Sequence, residues 1–266
     1  MLITEKIMNQ VLWQSSLVGS KREKRPQETG PYHVRIAENS DEVNSALRLR
    51  HRVFNIELGN ATEIAFESEI EFDAYDLRCR HLIVIDNATG ETVGTYRINT
   101  IETAGSTHGF YSSNEFMIGD LPNEVLQHGV EIGRACIAKE HRNTKVLFLL
   151  WKGLLQYREA AGKRYFFGCC SMFTQDEQLG AAAYRKMLRD GHFHPNFWVT
   201  PCKNSIDLID ATDCSVELPS LFNMYLRIGA KLCGPPMIDR EFGTIDFFVV
   251  FDVTQMNEKY KRLFAA

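Results

Sequence analysis

The chain has 266 residues, 44% of them hydrophobic and 24% charged, with a net charge of −4. This is the profile of an ordinary globular protein of one large or two small domains, and it excludes a disordered tail, a collagen-like fibre and a coiled-coil rod. A whole-surface attraction to nucleic acid is excluded by the charge, and a membrane-spanning helix by the apolar runs, the longest being Val146–Trp151 and Phe247–Phe251 where ~20 residues are needed.

In chain order, residues 1–30 stand apart from the rest. Leu2, Ile3, Ile7, Met8, Val11 and Leu12 share one helical face, and Lys21, Arg22, Lys24 and Arg25 follow. The order is wrong for a secretory signal. A frayed or docked terminal helix is the plain reading; transient contact with an anionic membrane surface is the functional one. Residues 31–266 read as one domain. Ser40 is placed to cap a helix carrying Val43, Leu47 and Phe54, with Asp41 and Glu42 in its first turn. Leu82–Ile85 and Thr92–Ile98 read as an antiparallel hairpin around the turn residues 86–90. Val130–Ala138 is a further strand. Thr144–Ala161 is a helix closed by Gly162. Tyr165–Cys169 is a strand, Asp176–Arg189 an amphipathic helix, and 191–216 an extended loop region. Pro219–Ile228 reads as a short helix and Thr244–Val253 as a closing strand. Strands and helices thus mix, which gives an α/β (α+β) sandwich.

Several groups of residues are able to carry chemistry. Glu57, Glu63, Glu67, Glu69, Glu71, Asp73 and Asp76 form a run without lysine or arginine; such runs are solvated loops as a rule, and otherwise an acidic mouth for an amine. Between Lys139 and Arg164 lie seven basic residues against Glu140 and Glu159, a local +5, which reads either as an exposed helix face or as a landing patch for an acidic partner. Glu131 sits in mid-strand, where an unpaired carboxylate is costly and needs a partner or a task. By alternation Glu131 and Gly133 share one face while Arg134 and Cys136 share the other, so a common cleft for Glu131 and Arg134 requires a bulge between Ile132 and Cys136. The glycines and prolines of 226–246 fix a rigid path from helix to strand. His192 and His194 find no third ligand and read as loop residues, so no metal site is expected. The seven cysteines (79, 136, 169, 170, 202, 214 and 233) lack C-x-x-C spacing and read as reduced thiols of a cytoplasmic protein. There is no P-loop and no nucleophile elbow.

Arg50, Val53 and Phe54, then Asp73, Tyr75 and Asp76, then Gly94-Thr-Tyr-Arg97, then Glu131, Arg134 and Cys136 resemble, in this order, the acyl-homoserine lactone synthases. With Gly109–Phe116, Leu150 and Trp151, Phe167–Cys169, Leu218 and Pro219, and Tyr225–Asp246 added, the chain from about 33 to 252 is more similar still to the ornithine–acyl carrier protein N-acyltransferases, the hemolysin-like group. The resemblance implies the GNAT fold: a mixed, mostly antiparallel twisted sheet with helices on both faces, the donor pantetheine lying where two central strands splay. GNAT enzymes that use coenzyme A carry a glycine-rich pyrophosphate turn. Here Arg142-Asn-Thr-Lys145 stands instead, without the glycines that let backbone N–H groups reach a pyrophosphate.

The resemblance therefore implies transfer of a long fatty acyl group, with or without a 3-hydroxyl, from acyl carrier protein to the α-amine of an amino acid. Ornithine is the implied acceptor and lyso-ornithine lipid the product. Acyl carrier protein, or acyl-coenzyme A, is a co-substrate, and no bound cofactor is implied. Glu131 is the expected general base, with Arg134, Asp73 and Asp76 beside it. Arg50 and Arg97 are expected to hold substrate or to pair with those carboxylates, and a backbone N–H of Ala135, Cys136 or Ile137 to hold the oxyanion. Lys139, Arg142, Lys145 and Lys152 form the expected carrier-protein patch. The expected location is cytoplasmic, peripheral to the inner membrane face. The alternatives are an N-acyl amino acid synthase for glycine or tyrosine, an acyl-homoserine lactone synthase, and a silent lipid- or carrier-binding module.

Overall fold

A computed structural model describes residues 30–59, 68–208 and 216–265. The terminal segment before Gly30 lies outside them, as do Glu63, Glu67 and Cys214. The elements are β1 (Tyr32–Ile36), α1 (Ser40–Arg50), β2 (Arg80–Asp86), β3 (Thr92–Thr100), α2 (Ile101–His108), α3 (Asn123–Gln127), β4 (Gly129–Ile137), α4 (Thr144–Ala160), β5 (Tyr165–Met172), α5 (Glu177–Arg189), α6 (Ser220–Ile228), β6 (Lys231–Leu232), β7 (Met237–Asp239), β8 (Thr244–Asp252) and α7 (Glu258–Ala265). Pairing is antiparallel between β1 and β2, between β2 and β3, and from β8 to β5, β6 and β7; β4 and β5 are parallel. This is the mixed, mostly antiparallel arrangement expected. The described chain divides into two compact units.

The first unit comprises the described residues to Asn99 together with Ile132–Tyr157. Its hairpin closes at Gly90, which adopts φ +74 while its N–H bonds the Asp86 carbonyl at 2.8 Å. Helix α1 is capped by Asn39, not by Ser40: Asn39 Oδ1 accepts the Glu42 N–H at 3.0 Å, so Ser40 becomes the first helical residue. The helix then widens into a π-helical segment, His51–Glu57, that carries Val53 and Phe54. Ala46 of α1 packs with Ile83 and Ile85 on one face of the hairpin. Helix α4 lies on the opposite face, close enough that a Cβ on Gly153 would stand 2.8 Å from Leu82 and Val34 methyls. Helices on both faces thus hold in this unit.

The second unit comprises Thr100–Glu131 and the described residues from Arg158. Strands β5 and β8 run antiparallel over eight residue pairs, and Phe167, Phe248 and Val250 form the centre of an apolar cluster with Phe110, Phe116, Leu121 and Val125. Each such aromatic contributes ~1.5–3 kcal/mol through burial. On the other face Phe222 of α6 meets Phe247 at 5.4 Å between ring centroids. Strand β4 begins beneath α3 with no room for a side chain: a Cβ on Gly129 would fall 2.2 Å from the Val125 carbonyl oxygen and 2.6 Å from the Phe167 ring. The segment 191–208 is extended, as expected, and is tied down by irregular bonds such as Val199 N–H to the Cys233 carbonyl at 2.6 Å.

Candidate active site

In the first unit three arginines meet three carboxylates. Arg50, fully buried at the end of α1, donates from Nε to Glu71 and from Nη1 and Nη2 to the two Asp76 oxygens at 2.7 and 3.0 Å. Arg97 of β3 donates from Nη1 to Asp73 at 2.6 Å and to Asp76 at 3.2 Å. Arg134 of β4 reaches Asp73 at 3.3 Å and Glu71 at 3.2 Å. Burial works to raise the Asp76 carboxyl, but Arg50 and Arg97 hold it well below the usual carboxylate range. His81 lies 3.8 Å from Asp76, and burial pushes it down to about 4, so it is neutral.

The structure therefore brings Arg50, Asp73, Asp76, Arg97 and Arg134 together and adds Glu71, which the sequence showed only as part of an acidic run. Arg50 and Arg97 are buried, with the Arg50 donors engaged by Glu71 and Asp76 and Arg97 Nη1 by Asp73 and Asp76. Of the acidic run, Glu71, Asp73 and Asp76 pair with arginines, and Glu57 holds Arg142.

Strand β4 carries the irregularity expected between Ile132 and Cys136. Arg134 adopts φ +49, a left-handed conformation rare for a long side chain. Such strain concentrates at functional sites. The strand is buried through Ile132 and half-exposed over Gly133, Arg134 and Ala135. Burial pushes the Cys136 thiol up to about 12, which excludes a thiolate nucleophile there. The Ile137 carbonyl accepts Arg142 Nε at 3.1 Å.

Glu131, at the other end of the irregularity, belongs to the second unit. Its carboxylate is buried and accepts the Tyr111 N–H at 3.0 Å, the Ser112 N–H at 2.7 Å and the Ser112 hydroxyl at 2.8 Å. It pins the 3-10 turn Tyr111–Asn114. Cys169 Sγ stands 3.7 Å from Ser112 Oγ. Beyond it lies a group the sequence reading did not pick out: one carboxylate oxygen each from Glu115, Asp239 and Asp246, all within 4.8 Å of one another. The β7–β8 register places Asp239 opposite Thr244 and Met237 opposite Asp246, which sets the two aspartates on one face. The only signal in the sequence was that these residues lie in the 109–116 and 225–246 motifs.

The basic patch is smaller than the sequence implies. Lys163 is buried, donating to Glu102 at 2.6 Å and to the Gln127 carbonyl at 2.8 Å, and Arg164 pairs with Asp252 and Glu124. Arg142 is shared with Glu57 at 2.5 and 2.6 Å. Lys139 and Lys145 are exposed and Lys152 half-buried. At the start of α4, Asn143 Oδ1 accepts the N–H groups of Lys145 and Val146 at 3.0 and 3.1 Å. Amides that would cradle a pyrophosphate elsewhere are thus capped by the chain itself. No helix among the described residues is long and apolar enough to cross a membrane.

The model of the acetyltransferase (GNAT) domain matches residues 49–152. The chain is 31% identical to an L-ornithine N(alpha)-acyltransferase of Brucella abortus (strain 2308), over 89% of this chain and 90% of that one. It is 29% identical to another from Rhizobium meliloti (strain 1021), over 88% and 84%. Among solved structures it is similar to an N-acyl amino acid synthase from uncultured soil microbes, 13% identical with a TM-score of 0.47 over 85% of this chain and 93% of that one. With identity of this order along nearly its whole length, the protein is an acyltransferase of the GNAT class and belongs to the L-ornithine N(alpha)-acyltransferase family.

Proposed function

We propose that this enzyme transfers a long-chain acyl group from acyl carrier protein to the α-amine of ornithine. The observation that carries the acceptor is the 31% identity to an L-ornithine N(alpha)-acyltransferase over about nine-tenths of both chains. The donor rests on two features of this chain. The N-terminus of α4 is closed by Asn143 and has no glycine turn for a pyrophosphate, and Lys139, Lys145 and Lys152 remain to receive an acidic surface.

In the reaction the neutral α-amine attacks the thioester carbonyl, a C–N bond forms, and the C–S bond breaks with the proton passing to the leaving thiolate. A protonated amine has no lone pair to offer. Glu131, held in place by the Tyr111 and Ser112 donors, takes the ammonium proton directly or through one water. A backbone N–H of Ala135, Cys136 or Ile137, on the same strand, steadies the oxyanion. Arg134 and Asp73, the two members of the arginine–carboxylate lattice with the most exposed side chains, border that strand segment.

The test is a steady-state assay with one acyl chain presented on acyl carrier protein and on coenzyme A. The expected result is a much larger kcat/KM for the carrier protein. Charge reversal at Lys139 and Lys145 should raise the carrier KM and weaken its salt dependence. Equal values for both donors would reject the carrier, and absence of acylated ornithine would reject the acceptor.

A further inference from the structure

Asp246 is 3% exposed, and its Oδ1 atom has no hydrogen-bond partner among the described residues. Its other oxygen accepts a long bond from the Thr244 hydroxyl, at 3.3 Å. Across the β5–β8 ladder it faces Ser171. The remaining neighbours are the carboxylates of Glu115, itself 3% exposed, and of Asp239. Burial, then Glu115, then Asp239 drive the Asp246 carboxyl upwards, and the Ser171 and Thr244 hydroxyls offset this only in part. The Cys169 thiol, held far up by burial and by the same two carboxylates of Glu115 and Asp246, adds no positive charge. A buried carboxylate with an open acceptor atom is costly unless it takes up a proton or a cation meets it.

We propose that Glu115, Asp239 and Asp246 bind the side-chain ammonium of a diamino acid acceptor. This rests on the ornithine reading above and names the residues that select the side chain. Three oxygens no more than 4.8 Å from one another leave a point between them that is no more than about 2.8 Å from each, within reach of charge-assisted N–H···O bonds. An ammonium group presents three N–H donors, one per carboxylate. Asp239 is the half-buried member and marks the side from which a substrate enters. Its Oδ1 accepts the Glu241 and Phe242 N–H groups at 2.9 and 3.0 Å, which fixes the carboxylate. Ser112 lies between this site and Glu131, touching the Glu131 carboxylate on one side and Cys169 on the other. Ser112 and Cys169 thus link the two carboxylate sites. With the side-chain amine kept as an ammonium, only the α-amine near Glu131 is available to attack.

The experiment compares L-ornithine with L-norvaline, which has the same carbon skeleton without the side-chain amine, in the wild type and in Asp246→Asn and Asp239→Asn. The wild type should favour ornithine. Asp246→Asn should lower kcat/KM for ornithine by ~100-fold, mostly through KM, and change norvaline by less than about threefold. Calorimetric titration with ornithine should show binding to the wild type that either variant weakens, a readout independent of turnover. Should Asp246→Asn fail to fold, Asp239→Asn at the half-buried edge carries the same expectation. Equal losses for both amino acids, or none for ornithine, would overturn the proposal. So would tight binding of Mg²⁺ or Ca²⁺ that Asp246→Asn abolishes, since the site would then be a metal site. If the wild type acylates neither amino acid, the acyltransfer reading fails, and the ornithine titration still decides the ammonium site.

Discussion

Glu131 is the residue on which catalysis and architecture meet. It holds three donors of the 111–112 turn, which fix the carboxylate in position. Glu131→Gln should lower kcat by about 10²–10⁴-fold with a modest change in KM. Raising the pH should restore part of the loss, because more of the acceptor amine is then already neutral. A folded variant with wild-type kcat at neutral pH would assign Glu131 to the turn alone. In the sequence Glu131 was visible because a mid-strand carboxylate needs a partner, and the need for a bulge followed from alternation. The partners were not visible. Arg134 reaches Glu71 and Asp73, and no spacing rule supplies its left-handed φ. Glu115 and Asp246 are 131 positions apart in sequence, counted as 246 − 115, and only the tertiary fold joins them.

At the scale of elements, the long ones were legible. The hairpin, β4, α4, α5 and β8 each have a strong period or a turn signature, and their bounds fall within a few residues of expectation. Those that escaped are short or lack a one-sided pattern. β1 is a five-residue edge strand, half-exposed throughout; α3 has five residues; β6 has two. They hold their shape through pairing with longer neighbours rather than through their own sequence. The junction of α3 with β4 depends instead on the absence of a side chain. Gly129→Ala should cost at least ~1–3 kcal/mol, because the new Cβ meets the Val125 backbone carbonyl and cannot be relieved by a rotamer change. Chemical denaturation would show this as a lower midpoint with an unchanged slope. A variant as stable as wild type would mean that α3 shifts freely over the strand.

For the whole molecule, burial of charge dictates the response to pH. His81 is neutral when folded, pushed down to about 4 by burial, whereas an unfolded chain protonates its histidines near ~6.5. The unfolded state thus binds more protons between those values, and stability falls as pH drops from about 6.5 to 4. Asp76, depressed by its arginines, extends the loss further into acid. His81→Gln should flatten the slope of stability against pH in the 4–6.5 window by about one proton, measured by urea denaturation at a series of pH values. An unchanged slope would place the proton uptake elsewhere. Asp246 has the opposite sign: raised by burial and by Glu115, it favours the folded state in acid, and that contribution is lost as pH rises. An ammonium bound beside it would offset the loss.

Selection between the two amines of the acceptor follows from the placement of Glu131 and of the Glu115–Asp239–Asp246 group in one unit of the fold. The most direct measurement is tandem mass spectrometry of the product formed from acyl carrier protein thioester and L-ornithine carrying ¹⁵N at the side-chain nitrogen only. The expected product bears the acyl amide on the unlabelled α-nitrogen and retains a free labelled amine. An amide on the labelled nitrogen, or no acyl-ornithine at all, would contradict the assignment of this chain as an enzyme that acylates the α-amine of ornithine.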